Sequence, residues 1–189
     1  MPLTESGRGT GAAVAVDLIN SWDELVEPAE ILLDAGFLKR WLAWHGFELA
    51  ASEMTDEDVP RARELRNRLT AVFDAAAEDE AVGLLNELVA ELGTPPRLER
   101  VRSGWRMRMW PDESEGLNAV GAYAAVGLMD AIRESGFERF GRCQGSPCRC
   151  VYVDRTRNRT RRYCCVWCAN RVAQARHRER VRGPGTTPR

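Results

Sequence analysis

Apolar and polar positions along the chain follow a mostly helical pattern over the first 138 residues. Phe37, Leu38, Trp41 and Leu42 recur at i, i+1, i+4 and i+5 after Asp34, which predicts a helix ending near Gly46. Thr55 followed three residues later by Asp58 has the form of a capping box, opening a helix to about Ala77 with Leu65, Leu69, Val72 and Phe73 as its apolar stripe. A further helix is predicted at about Glu80–Leu92, closed by Gly93 and the Pro95-Pro96 break. Arg97–Val101 and Trp105–Trp110 flank Ser103-Gly104 and predict a β-hairpin. The run Ser114–Glu134, rich in Ala, Leu and Met, predicts a long helix packed on this body and stopped by Gly136. Ala12–Asn20 is apolar but too short for periodicity to separate helix from buried strand. Residues 1–11 and 183–189 are expected to be flexible tails.

The pattern changes at residue 139. Residues 1–138 carry 26 Asp and Glu against 13 Lys and Arg, whereas residues 139–189 carry 14 Arg against only Asp154 and Glu179. The net charges are therefore −13 and +12, and the overall charge of −1 hides a basic appendage on an acidic body. A segment of some forty residues is too small to fold on an apolar core of its own, and such segments usually need a metal or disulfides.

The cysteines supply the staple. All six lie between Cys143 and Cys168, and none precedes them. An oxidised secreted fold would spread its cysteines through the chain, so clustered thiols point to a metal, and zinc is the expected ion. Cys143-Gln-Gly-Ser-Pro-Cys148 puts two thiols on either side of a tight turn, and Cys164 and Cys168 follow at i, i+4, one helical face if a helix begins there. Four thiolates at tetrahedral corners make a closed, structural Zn²⁺ site. Spacing favours Cys143, Cys148, Cys164 and Cys168 but leaves Cys165 as an alternative to Cys164, and Cys150 to Cys148. Val151–Val153 reads as a strand and Asp154–Arg162 as a turn and return strand, so that knuckle, hairpin and helix form a treble-clef-like finger.

Cys148-Arg-Cys-Val-Tyr-Val-Asp-Arg-Thr-Arg-Asn158, Arg161-Arg-Tyr-Cys164 and Cys168-Ala-Asn-Arg171 resemble the CGNR zinc finger, with Ala169 where the name-giving Gly stands. This finger ends bacterial stress-induced transcription regulators whose N-terminal part is the ABATE domain. The likeness over residues 12–138 rests on the apolar start with Asp17 and Asn20, the helical body and the total length. The resemblance implies ligands at Cys143, Cys148, Cys164 and Cys168, and duplex DNA rather than RNA as the polyanion. It also implies a body that senses a small-molecule effector or forms a homodimer, in a cytoplasmic, nucleoid-associated regulator.

The arginines carry the binding expectation. Arg155, Arg157, Arg159, Arg161 and Arg162 crowd the expected hairpin, and Arg171, Arg176, Arg178, Arg180 and Arg182 continue along the helix. Arginine grips phosphates bidentately and reads guanine in the major groove. Arg176 and Arg178 are the expected DNA contacts on the helix, whereas Asn170 and Arg171, so close to the metal, are expected to brace the finger. The competing expectation is that the basic finger docks on an acidic protein, in this chain or a partner. Along the apolar face of the same helix stand Val166, Ala169, Val172 and Ala173.

Other classes are set aside. No apolar run approaches the roughly 20 residues that span a bilayer. The run from Ala12 to Ile19 contains Asp17 and lacks the basic flank of a secretory leader. No nucleophile elbow, P-loop, zincin or dinucleotide fingerprint occurs, so no enzyme is expected. His45 reads as a cap or packing residue and His177 as a neighbour of phosphate. The resulting expectation is a mainly α, α+β chain: a helical body at 12–138 and a zinc finger at 139–182.

Overall fold

The structure, a computed structural model, describes residues 10–93, 97–101, 104–108 and 116–182. Both expected tails fall outside these residues apart from Thr10 and Gly11, as do Trp110 and Ser114.

Among the described residues the body has six α-helices. The ambiguous first segment is a helix, α1 (Gly11–Ile19), followed by α2 (Ala35–Trp44), α3 (Glu48–Glu53), α4 (Asp58–Asp74), α5 (Glu78–Glu91) and α6 (Leu117–Ser135). Asp34 caps α2 by accepting the Phe37 N–H at 2.9 Å. Asp58 reaches back to the Thr55 N–H at 2.9 Å and its hydroxyl at 3.0 Å, which is the carboxylate half of the expected capping box. α4 stops at Asp74, three residues short of the expected Ala77. α5 opens with Glu78, Asp79 and Glu80, charges that suit the positive end of the helix dipole. The short α3 was not anticipated: six residues give periodicity too little length to register.

Between α5 and α6, β1 (Arg97–Val101) and β2 (Gly104–Arg108) form the expected antiparallel hairpin, with Arg97 opposite Arg108 and Val101 opposite Gly104.

One apolar cluster joins α1 through α6, with Leu18, Leu38, Leu42, Leu69, Leu85 and Leu128 fully enclosed. The tightest approach is between α1 and α6, where a Cβ on Gly127 would overlap the backbone of Gly11 and Ala12. Inside this core sits an ion cluster. Arg66, 7% exposed, grips Glu30 through two 2.8 Å contacts and also donates to Ser21 Oγ at 3.1 Å. Arg63 adds a contact to Glu30 at 3.3 Å and donates to the Leu32 carbonyl at 3.1 Å. The charge is thus neutralised where it is buried, and the Glu30 carboxyl, raised by burial but lowered by Arg66, the Leu32 N–H and Arg63 together, lies below its usual range.

A short 3-10 turn at Phe137–Arg139 leads from α6 into β3 (Phe140–Arg142), which pairs antiparallel with β4 (Val151–Val153). This corrects the expected finger hairpin: the partner of Val151–Val153 precedes the first cysteine pair, and no strand forms in 154–162. Val151 and Val153 are buried in the body's core, so the finger is rooted in the body through β4. Asn20 fixes the root by donating to the Val151 carbonyl at 3.0 Å and accepting its N–H at 2.7 Å. The last helix, α7 (Val166–Arg182), carries the basic run. No described helix is long and apolar enough to cross a membrane.

Candidate metal centre and basic helix

The knuckle between β3 and β4 is shaped by its own backbone. The Cys143 N–H donates to the Cys150 carbonyl at 2.8 Å and the Cys148 N–H to the Gly145 carbonyl at 2.9 Å, which brings both thiols to one side of the turn. Gly141 is required next to it, because a Cβ there would run into the Tyr152 ring. The second ligand pair straddles a helix start: Cys164 lies two residues before α7 and Cys168 in its first turn.

The thiols of Cys143, Cys148, Cys164 and Cys168 lie within 4.8 Å of one another. Cys148 and Cys164 sulfurs are 3.7 Å apart, close to the about 3.8 Å edge of a tetrahedron with Zn–S of 2.3 Å. Cys168 is 1% exposed and Cys143 and Cys148 are also buried, and none of the six cysteines is in a disulfide.

Their acidities fit a cation at the centre. Burial pushes the Cys148 thiol up, and Cys164 is raised by its hydrogen bond to Cys150 and then by burial. Burial, helped by Cys164, pushes Cys168 up to about 12. Cys143 goes the other way: burial pulls up, but the N–H groups of Cys164 and Gly145 outweigh it. Three crowded thiols that resist ionisation become thiolates when a divalent cation offsets their repulsion. This is a CGNR-type site whose four cysteines could hold one zinc, and four sulfurs would close the tetrahedral shell, making the metal structural. Cys150, 2% exposed, stands with Asp23 and Cys148 in a second, three-residue grouping, and Cys165 lies 3.7 Å from Cys164.

The arginines divide into those the fold uses and those it leaves outward. Arg171 donates to the Ser146 carbonyl at 2.8 Å and to the Gly145 carbonyl, clamping α7 to the knuckle. Arg161 donates to the Tyr163 carbonyl at 3.0 Å and to that of Cys164, with its guanidinium 4.9 Å from the Tyr152 ring centre. Arg161 thus lies beside the metal loop, on an exposed part of the finger. Arg159, at φ +53°, pairs with Glu138 at 2.6 Å, and Arg155 donates to Thr10 Oγ1 at 2.7 Å.

Arg157, Arg162, Arg176 and Arg178 are exposed, with no ion pair or side-chain hydrogen bond among the described residues. Asn170 is also exposed and makes no such bond, unlike its neighbour Arg171. The apolar face expected on α7 is not covered: Val166 is 75% exposed and Ala173 is exposed, while Ala169 and Val172 are half-buried. His177 is exposed on the same helix.

The loop from Asp154 to Arg162 replaces the expected return strand because its backbone is satisfied by a side chain. Buried Asp154 accepts the Thr156 N–H at 2.7 Å and the Arg161 N–H at 2.9 Å; burial raises its carboxyl, but the Thr156 hydroxyl, these two N–H groups and the Arg139 charge together hold it below its usual range. The sequence signal was an Asp two residues before a Thr, the form of an Asx turn. Further arginines tie finger to body: Arg142 Nη2 meets Asp74 at 2.5 Å and Arg149 meets Glu24 at 3.3 Å.

Comparison with known families gives two matches in series. Residues 139–181 match the CGNR zinc finger, and residues 12–133 match the family described as "Putative stress-induced transcription regulator", ABATE. A comparison with curated proteins found no match. The helical body with its rooted four-thiol finger is therefore that of a member of the ABATE family, carrying a CGNR zinc finger at its C-terminal side.

Proposed function

We propose that the chain is a zinc-stapled, DNA-binding transcription regulator, stress-responsive and not an enzyme, that works in the cytoplasm at the nucleoid. The observation that carries this reading is the outward row on α7. Arg176 and Arg178 stand exposed, unpaired among the described residues, on a helix whose base is clamped by Arg171 and the thiol cluster. A rigidly based basic helix of this kind suits a groove, with Arg157 and Arg162 beside it for phosphate. The body would then supply effector sensing or a homodimer contact.

A second reading has its own support. Arg142, Arg149 and Arg159 already pair with carboxylates of this chain's acidic body, so a basic finger docking on an acidic partner protein is the alternative. A salt titration of binding to duplex DNA separates the two. Neutralising about five phosphates predicts a log–log slope near −4.5. Failure to bind any duplex at low salt would overturn DNA binding in favour of docking.

A further inference from the structure

A cavity of about 600 Å³ opens between α1, α2 and the segment joining them, and none of its walls comes from α7. That volume lies within the roughly 300–1,000 Å³ of small-molecule sites. The pattern of α2 makes one wall. Phe37, Trp41 and Trp44 fall at i, i+4 and i+7 on one helical face, while Leu38 and Leu42, one position round, are enclosed in the core. Trp41 is 6% exposed, but Phe37, Trp44 and, from the preceding segment, Leu33 line the cavity as exposed side chains, Trp44 at 49%. Single exposed apolar residues are ordinary on any surface, whereas several gathered around one concavity mark a binding site.

The charges around the cavity decide the ligand class. Asp17, Glu27 and Glu30 line it together with Arg40. Arg63 and Arg66 reach Glu30 at 3.3 and 2.8 Å, so carboxylates and guanidiniums balance, three against three. Asp17 is engaged as well, 3.7 Å from His45, and the Arg40 guanidinium lies on the face of Phe37, 4.3 Å from the ring centre. Glu27 is exposed, where water solvates it. A charged ligand would give up its hydration for apolar walls with no net charge to replace it. An uncharged aromatic ring loses little on leaving water and gains stacking on the indoles.

We propose that this cavity is a binding site for an uncharged aromatic molecule, held by stacking on Trp41 and Trp44 and by contact with Phe37 and Leu33. This gives a chemical class to the effector that the proposed function assigns to the body, and it rests on that reading only for the regulatory meaning of the ligand. The site adjoins the finger. Asn20, on its wall, holds β4, and the loop that supplies Val26 and Glu27 also packs Leu25 against the thiol cluster and pairs Glu24 with Arg149.

The probes are acridine, N-methylacridinium and an acridine carboxylate, a shared ring system that is uncharged, cationic and anionic in turn at mildly alkaline pH. They are titrated calorimetrically into the zinc-loaded full chain without DNA, so the outcome is independent of whether the finger binds DNA. Acridine should bind at least roughly tenfold more tightly than either ion. Phe37→Ala and Trp44→Ala, both at exposed positions, should each weaken acridine binding several-fold with zinc content and melting temperature unchanged. Glu27→Gln should leave acridine affinity where it was. An ion bound as tightly as acridine, acridine affinity unchanged in both ring variants, or a loss in Glu27→Gln as large as in Trp44→Ala would overturn the proposal, as would no acridine binding at all.

Discussion

The body and the outer half of the finger are held by different means. In the body, α1 through α6 converge on one aliphatic and aromatic cluster. Around the knuckle the buried cluster consists of Cys143, Cys148, Cys150 and Cys168, with Leu25 and Tyr163 leaning on it. The first is stabilised by removing apolar area from water. The second offers little such area, and its thiols repel one another once ionised. Yet the border between the two regimes does not fall where charge and composition change. β3 and β4 belong to the body's packing, since Val151 and Val153 are in its core and Phe140 stacks on Phe73 with ring centres 5.0 Å apart. The knuckle from Cys143 to Cys150 and the chain beyond Asp154, ending in α7, depend on the thiols. A metal held by these four thiols would fasten α7 and the knuckle to the body.

Removing the metal tests that division with the largest effect expected. Structural zinc contributes about 10–16 kcal/mol in isolated fingers. Chelation, or Cys168→Ser, should strip hydrogen-exchange protection from α7 and the Asp154–Cys165 loop while the body's thermal transition stays in place. If body and α7 melt together, or α7 stays protected without metal, the division fails. Acid should act in the same direction, because Cys148, Cys164 and Cys168 are raised above the ordinary thiol range and bind protons in competition with the metal. Zinc affinity should fall as pH falls, with protons taken up by the ligand thiols as zinc is lost.

The body has its own single point of dependence. Arg66→Ala removes the guanidinium that neutralises Glu30 and bonds Ser21 inside the core. Breaking one partner of a buried pair costs about 3–5 kcal/mol. Urea unfolding should show that loss in the body's transition, with zinc stoichiometry unchanged below it.

His45 gives a slightly smaller, pH-dependent effect. Burial lowers its pKa from 6.5 to about 4. Between those values the unfolded chain holds a proton on His45 that the folded chain does not, so stability present above pH 6.5 is lost as pH falls towards 4. The full loss is about 3 kcal/mol. His45→Phe should flatten the body's stability between pH 7 and 4.5, read by urea midpoints. An unchanged slope would show that Asp17, 3.7 Å away, already compensates the charge.

What the sequence made legible follows the same division. The stripe Leu65, Leu69, Val72 and Phe73 is buried on α4 as its period dictates. The cysteine quartet was legible because zinc demands a ligand number and spacing that few other functions share. The partner of β4 was not legible. Val151-Tyr-Val153 is a strand by composition, but its pairing with β3 was decided by Asp154, whose two bonds turn the following chain into a loop. Arg159 and Arg161 look like their neighbours in sequence, and only the fold shows that Glu138 and the Cys164 carbonyl engage them. Asn20, 131 residues from Val151, carried no local signal of its contact.

Asn20 is where the two regimes can be forced to fail together. Its replacement by Ala leaves the Val151 N–H and carbonyl buried without their partner. The expected loss is about 2 kcal/mol. Because β4 roots the finger, the body's midpoint and the zinc off-rate should both worsen. A change confined to one would place β4 wholly in that region.

The smallest effect on folding, and the sharpest on function, comes from two arginines of α7 seven residues apart. Arg171 sits over Trp167 with its guanidinium 5.7 Å from the ring centre, and it donates to Gly145 and Ser146, so it ties the helix to the knuckle. Arg171→Ala should therefore speed zinc loss and weaken binding to every duplex alike. Arg178 is exposed and has no partner among the described residues. Arg178→Ala should leave zinc retention and the melting temperature where they were. If Arg178 meets phosphate, the salt slope should fall by about one for all sequences. If it meets a base edge, the loss should be about 1–3 kcal/mol on the preferred duplex only. Two unrelated duplexes and a zinc-release assay, run on both variants, distinguish a residue that holds the helix from one that the helix presents. Should Arg178→Ala speed zinc release as Arg171→Ala does, the seven-residue separation between clamp and contact disappears, and the outer half of α7 must be counted with the metal centre.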